Sequence, residues 1–91
     1  MAIDTPLLVI ATEAAKPLVR SFLEQKGEPR RIIKSEHSGI VSVVNDELQG
    51  RHLISNGQKY LPQQAVYHAL RGRNYRFVGK DDCYYEITPT E

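Results

Sequence analysis

The chain has 91 residues, 25% charged and 41% hydrophobic, with a formal net charge of +1. That length suits one domain, and that balance is ordinary for a folded protein and excludes a disordered polar chain. A single cysteine, Cys83, rules out an intramolecular disulfide, and no stretch approaches the roughly 20 apolar residues of a membrane helix. The N-terminal segment has no basic n-region before its short apolar run, so a cytoplasmic location is expected.

In chain order, residues 7–11 (LLVIA) form a short apolar run that reads as a buried strand. A helix is expected from about residue 14 or 16 to 26, with Pro17 in its first turn. Leu18, Val19, Phe22 and Leu23 make its apolar face, Gly27 suits the C′ position and Pro29 blocks continuation. Residues 30–45 are rich in β-branched side chains and read as a hairpin. Its strands are 31–35 and 40–44, turning at His37, Ser38 and Gly39. The rival reading makes Ser38 an N-cap and 39–48 a helix.

After the polar break at 45–47, residues 51–55 suit a short strand. Asn56 and Gly57 suit a two-residue turn, with 58–61 returning antiparallel. Pro62 then opens a second helix and Gly72 closes it. Ala65, Val66, Ala69 and Leu70 form its buried face, while Gln64, His68 and Arg71 form a polar stripe. A last hairpin uses 74–79 and 83–88. A four-residue loop at 79–82 pairs Phe77 with Tyr84 and Arg76 with Tyr85, putting Phe77 and Tyr84 on the core face. Residues 88–91 form a frayed tail.

There is also an internal echo. Val44, Leu48, Gly50, Arg51 and Gly57 recur 22 residues later as Val66, Leu70, Gly72, Arg73 and Gly79. If it is a repeat, 40–50 is helical and each unit is a helix followed by a hairpin.

The chemistry-bearing residues are sparse. His37, His52 and His68 lack the i, i+3 or i+4 spacing of metal ligands. Cys83 stands between Asp82 and Tyr84, a poor setting for a thiolate, because a carboxylate raises a thiol's pKa. Asp81 and Asp82 read as turn formers. No nucleophile turn or phosphate-cradling glycine loop occurs, so neither an enzyme nor a cofactor is expected.

Charge distribution says more. Between Glu47 and Asp81 there is no acid, while Arg51, Lys59, Arg71, Arg73, Arg76 and Lys80 give that window a charge of +6. Guanidinium groups hydrogen-bond phosphates and aromatic faces stack on bases. Gln64, His68, Arg71, Arg73, Asn74, Arg76 and Lys80, interleaved with Tyr67, Tyr75 and Phe77, are therefore the candidate nucleic-acid-binding residues. Gly72 and Asn74 allow close backbone approach at the corner between helix and hairpin.

Residues 61–79 (LPQQAVYHALRGRNYRFVG), followed by CYYEI at 83–87, resemble the second half of winged helix-turn-helix domains. There a recognition helix leads into a two-stranded wing, behind an organisation of three helices. The resemblance implies that Gln63, Gln64, Tyr67, His68 and Arg71 face a DNA groove. It implies that Arg76 and Lys80 meet phosphate from the wing.

The elements taken together favour an α+β domain, two helices packed on a small antiparallel sheet of hairpins in a βαββαββ-like order, with the winged helix as the alternative. The function expected is a small, regulatory nucleic-acid-binding domain. The alternative is a non-catalytic protein-interaction or inhibitor module, with contacts carried by the hairpin edge or the tyrosine-rich face of 75–85, including a homodimer paired edge to edge.

Overall fold

A computed structural model describes residues 5–54, 60–80 and 83–87. Three helices and one three-stranded antiparallel sheet follow in the order α1 (Thr5–Gln25), β1 (Arg31–Ile33), α2 (Lys34–Gly50), α3 (Tyr60–Arg71), β2 (Tyr75–Lys80) and β3 (Cys83–Ile87). The fold class is α+β, as expected, but with three helices instead of two. The expected turn at Asn56 and Gly57, the return through 58–59, the loop residues 81–82 and the tail 88–91 lie outside the described residues.

The strand expected at 7–11 is instead the first part of α1. The helix buries Ala11, Ala14, Ala15, Val19 and Leu23, with Leu7, Leu8, Leu18 and Phe22 packed partly against them. That spacing has the helical period from residue 7 to residue 23. Pro17 sits inside the helix rather than in its first turn. It deprives the Glu13 carbonyl of its usual donor, and both Glu13 and Pro17 are on the exposed side of the helix. The expected stop holds. Gly27 takes φ +76, Gly27 N–H donates to the Glu24 carbonyl at 3.2 Å, and Glu28 N–H donates to the Leu23 carbonyl at 2.7 Å. This paired closure satisfies carbonyls that the last turn leaves free.

The hairpin expected over 30–45 is also corrected. Only Arg31–Ile33 is strand, and α2 begins at Lys34. Ile40, Val44 and Leu48, four residues apart, are buried along one side of α2. The Glu36 carboxylate accepts from the Ile33 N–H at 3.1 Å, serving a donor at the helix start. Tertiary burial of this stripe outweighs the small helix penalty of β-branched residues. Residues 51–54 form a turn and not the expected strand. The Leu53 N–H donates to the Leu48 carbonyl at 2.9 Å, and His52 takes φ 59.

α3 starts at Tyr60, two residues before the expected opening, and holds Pro62 in its first turn, where no backbone donor is required. Its end lies where Gly72 was expected to close it, but the left-handed residue there is Asn74, with φ 68. The helical part of the internal echo is seen: Val44 and Leu48 of α2, like Val66 and Leu70 of α3, are fully buried. Residues 51–54, which follow α2, are not strand as 75–80 are, and Gly57 lies outside the described residues.

β2 and β3 form the expected hairpin, and β1 adds to the far edge of β3, giving strand order β1-β3-β2. The register differs by one from that expected: Phe77 faces Tyr85 and Arg76 faces Glu86. The cause is Gly79, at φ +60, which absorbs an extra residue so that β2 continues to Lys80 opposite Cys83. On the other side, β1 pairs Ile32 with Tyr85 and Ile33 with Cys83, leaving Tyr84 as an extra residue of β3. Tyr75, Phe77 and Tyr85 therefore share one face, on which Tyr75 and Tyr85 are buried and Phe77 is 54% exposed, while Tyr84 is half-buried. The Tyr75 hydroxyl donates to the Pro29 carbonyl, and the Ile87 N–H donates to the Arg30 carbonyl at 2.9 Å, tying the hairpin to the α1–β1 connection.

The three helices and the inner face of the sheet enclose one core, from Ala11 and Val19 through Ile40 and Leu48 to Leu70 and Tyr85. Among the described residues, no helix is long and apolar enough to cross a membrane. Val9 and Ile10, neighbours on α1, remain about half exposed.

Candidate nucleic-acid interface

α3 turns Leu61, Pro62, Ala65, Val66, Ala69 and Leu70 inward. Its other side carries Tyr60, Gln63, Gln64, Tyr67, His68 and Arg71, all exposed or half-buried. The Arg71 guanidinium lies 5.7 Å from the centre of the Tyr67 ring, and Tyr67 meets the His68 ring edge-on at 5.2 Å. A cation held over an aromatic face remains free to bond an anion with its edge.

This outward side borders two grooves. The first, about 390 Å³, runs between Gln63, Gln64 and Tyr67 of α3, His37 of α2, Phe77 of β2, and Tyr84 and Tyr85 of β3. The second, about 330 Å³, continues past His37 and Gln63 to Ser38, Val41, Ser42, Asn45 and Pro62. No Asp, Glu, Lys or Arg lines either groove. His37 sits at their junction, its ring 5.0 Å from that of Tyr84 and 5.3 Å from that of Tyr85. Burial holds its pKa below the usual histidine value, so the imidazole at this junction is neutral at pH 7.

The candidate residues are divided by the fold. Gln64 and Arg71 stand on the outward side of α3, Gln64 in the first groove and Arg71 against its Tyr67 wall. His68 lies toward α1, beside Leu8, Val9, Thr12 and Glu13. Arg73 turns the other way: its guanidinium donates to the Glu28 carboxylate at 2.6 Å, and it lines a separate cleft with Glu13, Lys16 and Arg20. Asn74 is the exposed left-handed residue of the turn into β2. Arg76 stands on the sheet face opposite Tyr75 and Phe77, paired across the ladder with Glu86, which also lies 3.8 Å from Arg31. Lys80 ends β2, and its side chain lies outside the described residues. Arg51, in the same acid-free window, pairs with Glu47 at 2.6 Å.

Among the described residues, the basic window thus does not form one basic surface. What the fold assembles instead is a neutral, aromatic and amide-lined groove, with Arg71 on its α3 side. Gln63 and Tyr67 line it together with Gln64. His37 and Tyr84 were not singled out by the sequence, where His37 reads as a turn residue. They reach the groove because β1 pairs with β3, which sets the first turn of α2 against the hairpin. No residue pattern within 30–45 signals that long-range pairing.

Among the described residues, no three His, Cys, Asp or Glu side chains gather as a metal site. The Cys83 thiol donates to the Tyr85 carbonyl at 3.3 Å, with Glu86 the next polar neighbour at 3.9 Å. Comparison with known proteins finds no matching family model, no matching curated protein and no matching solved structure.

Proposed function

We propose that this chain is a winged helix-turn-helix module that binds nucleic acid through α3, with the β2–β3 hairpin as its wing. The observation that carries the reading is the order of the elements: helix, strand, two helices, then a hairpin whose second strand is flanked by β1. This order leaves α3 with a free polar side directly before the hairpin. In helix-turn-helix recognition the second helix of the pair enters the major groove, a role that falls here to α3 after α2. Gln63 and Gln64 offer amides for base edges, and Arg71 offers a fork for phosphate or guanine. Lys80 and Arg76, both on β2, supply cations from the wing. The outward side of α3 contains no carboxylate, so nothing on it repels a phosphate backbone.

Fluorescence anisotropy with duplex and single-stranded probes tests the reading. Binding is expected at micromolar protein or below, weakening steeply between about 50 and 200 mM salt as counterion release loses its force. Absence of salt-dependent binding at micromolar protein would sink it. The exposed pair Val9 and Ile10 on α1 favours the other reading, a protein-interaction surface or homodimer contact. Light scattering separates that form, since a strictly monomeric species at high concentration removes the dimer.

A further inference from the structure

Within the reading of this chain as a nucleic-acid binder, we propose that the groove between α3, the start of α2 and the hairpin captures one unpaired nucleobase, stacked on Phe77. Three observations carry this.

The first is the exposure of Phe77. The residue is 54% exposed, yet its ring is packed on several sides. It meets Tyr84 and Tyr85 edge-on, at 5.7 and 5.6 Å between centres. It also lies across Gly79, where an added Cβ would come within 3.0 Å of the ring. Gly79 therefore serves as the floor on which the ring rests. A rigid aromatic ring left open to a groove is a ready stacking platform, and stacking requires no reorganisation of it.

The second is the match of charge. A nucleobase is neutral and its phosphate is not. The groove lining is uncharged, with His37 itself neutral, and the cation next to it is Arg71, lying over the Tyr67 wall. No carboxylate lines the groove to oppose a phosphate.

The third is the hydrogen-bonding character of the opposite wall. Gln63 and Gln64 each offer an amide donor and an amide acceptor, the mixed pattern that a base edge presents. The groove's volume of about 390 Å³ suits one base with its sugar rather than a paired duplex.

The test compares two labelled duplexes at matched salt, one fully paired and one with a single extra adenine. In a parallel titration 2-aminopurine replaces that adenine. The full chain is expected to bind the bulged duplex on the order of tenfold more tightly than the paired one. The 2-aminopurine emission is expected to fall as the base stacks. Phe77→Ala should bring the two affinities together while leaving paired-duplex binding unchanged, and Phe77→Trp should keep the preference. Gln63→Ala/Gln64→Ala, which alters only outward side chains, should reduce the preference severalfold and serves if Phe77→Ala fails to fold.

Equal affinity of the native chain for both duplexes overturns the proposal while leaving nucleic-acid binding intact. So does a preference that survives Phe77→Ala. Binding of neither duplex overturns the broader reading as well. Displacement of the bulged probe by N-acetyltryptophanamide at lower concentration than by adenosine would assign the groove to an aromatic side chain of a partner protein, and also overturns it.

Discussion

Truncating Tyr85 to alanine is expected to lower stability by about 3–5 kcal/mol, the range for removing a large buried aromatic side chain. Tyr85 is 2% exposed and joins every layer of the sheet side of the molecule. It pairs with Ile32 of β1 and Phe77 of β2, and its ring meets that of His37 at the start of α2. A domain of this size holds about 5–15 kcal/mol in total, so the loss removes a large part of the margin. Urea unfolding followed by circular dichroism measures it, and a loss below about 1 kcal/mol would contradict the burial described. The hydroxyl gives a second readout. Burial first, and then the neighbouring Tyr67 and Tyr84, push its pKa up from 10.0 to about 12. The folded chain therefore favours the neutral phenol more than the unfolded chain does. That stabilisation is complete below about pH 10 and is lost as pH rises toward about 12. Tyr85→Phe, which has no proton to lose, should show a shallower alkaline fall in stability than the native chain.

The fold was legible where local signals and tertiary demands agree. In residues 60–87 the alternation of Ala65, Val66, Ala69 and Leu70, the Pro near the helix start and the turn residues after it all point to a helix and a hairpin, and both are present. It was illegible where small or β-branched residues carry the pattern. In α1 the buried stripe runs through Ala11, Ala14 and Ala15, whose side chains are too small to stand out beside the apolar run at 7–10. The run then looked like a separate strand. In α2 the β-branched content of 40–44 argued locally for strand, whereas Ile40, Val44 and Leu48 are selected by packing against α1 and α3. The register slip in the hairpin has a similar origin. Whether Gly79 sits in a loop or in a bulge depends on backbone pairing, and composition does not report that.

The candidate site failed in a more specific way. Counting charge in the window between Glu47 and Asp81 treats each arginine as free, but pairing is set in space. Arg73 reaches back 45 positions to Glu28, which lies outside the window. Arg51 pairs with Glu47 at the window's own edge. The helical spacing of Gln64, His68 and Arg71 predicts the outward side of α3 that all three occupy. The aromatic members divided by depth and not by pleat: Tyr75 and Phe77 share one face of β2, yet Tyr75 is core and Phe77, toward the hairpin end, is surface.

The two arginines that flank Gly72 are therefore expected to respond in opposite ways to the same charge reversal. Arg71 is exposed, lies over Tyr67 beside the groove, and pairs with no carboxylate among the described residues. Arg71→Glu is expected to weaken duplex binding on the order of tenfold or more at low salt, with the melting temperature unchanged. Arg71→Ala should reduce the slope of log affinity against log salt by about one, the signature of one lost phosphate contact. Arg73→Glu should do the reverse. It breaks the ion pair with Glu28 and sets two carboxylates against each other at the α1–β1 connection. Partly exposed pairs contribute about 0–1 kcal/mol, so a drop of a few degrees in melting temperature is expected, with duplex affinity nearly unchanged. Glu28→Arg in the Arg73→Glu background should restore the melting temperature, since it rebuilds the pair in reverse. Anisotropy and thermal denaturation on the same samples separate the two effects. An affinity loss in Arg73→Glu as large as that in Arg71→Glu would mean that the corner after α3, and not its groove-facing side, carries the contact. Because the two side chains act on different sides of the helix end, the combined variant should show the affinity loss of one and the stability loss of the other.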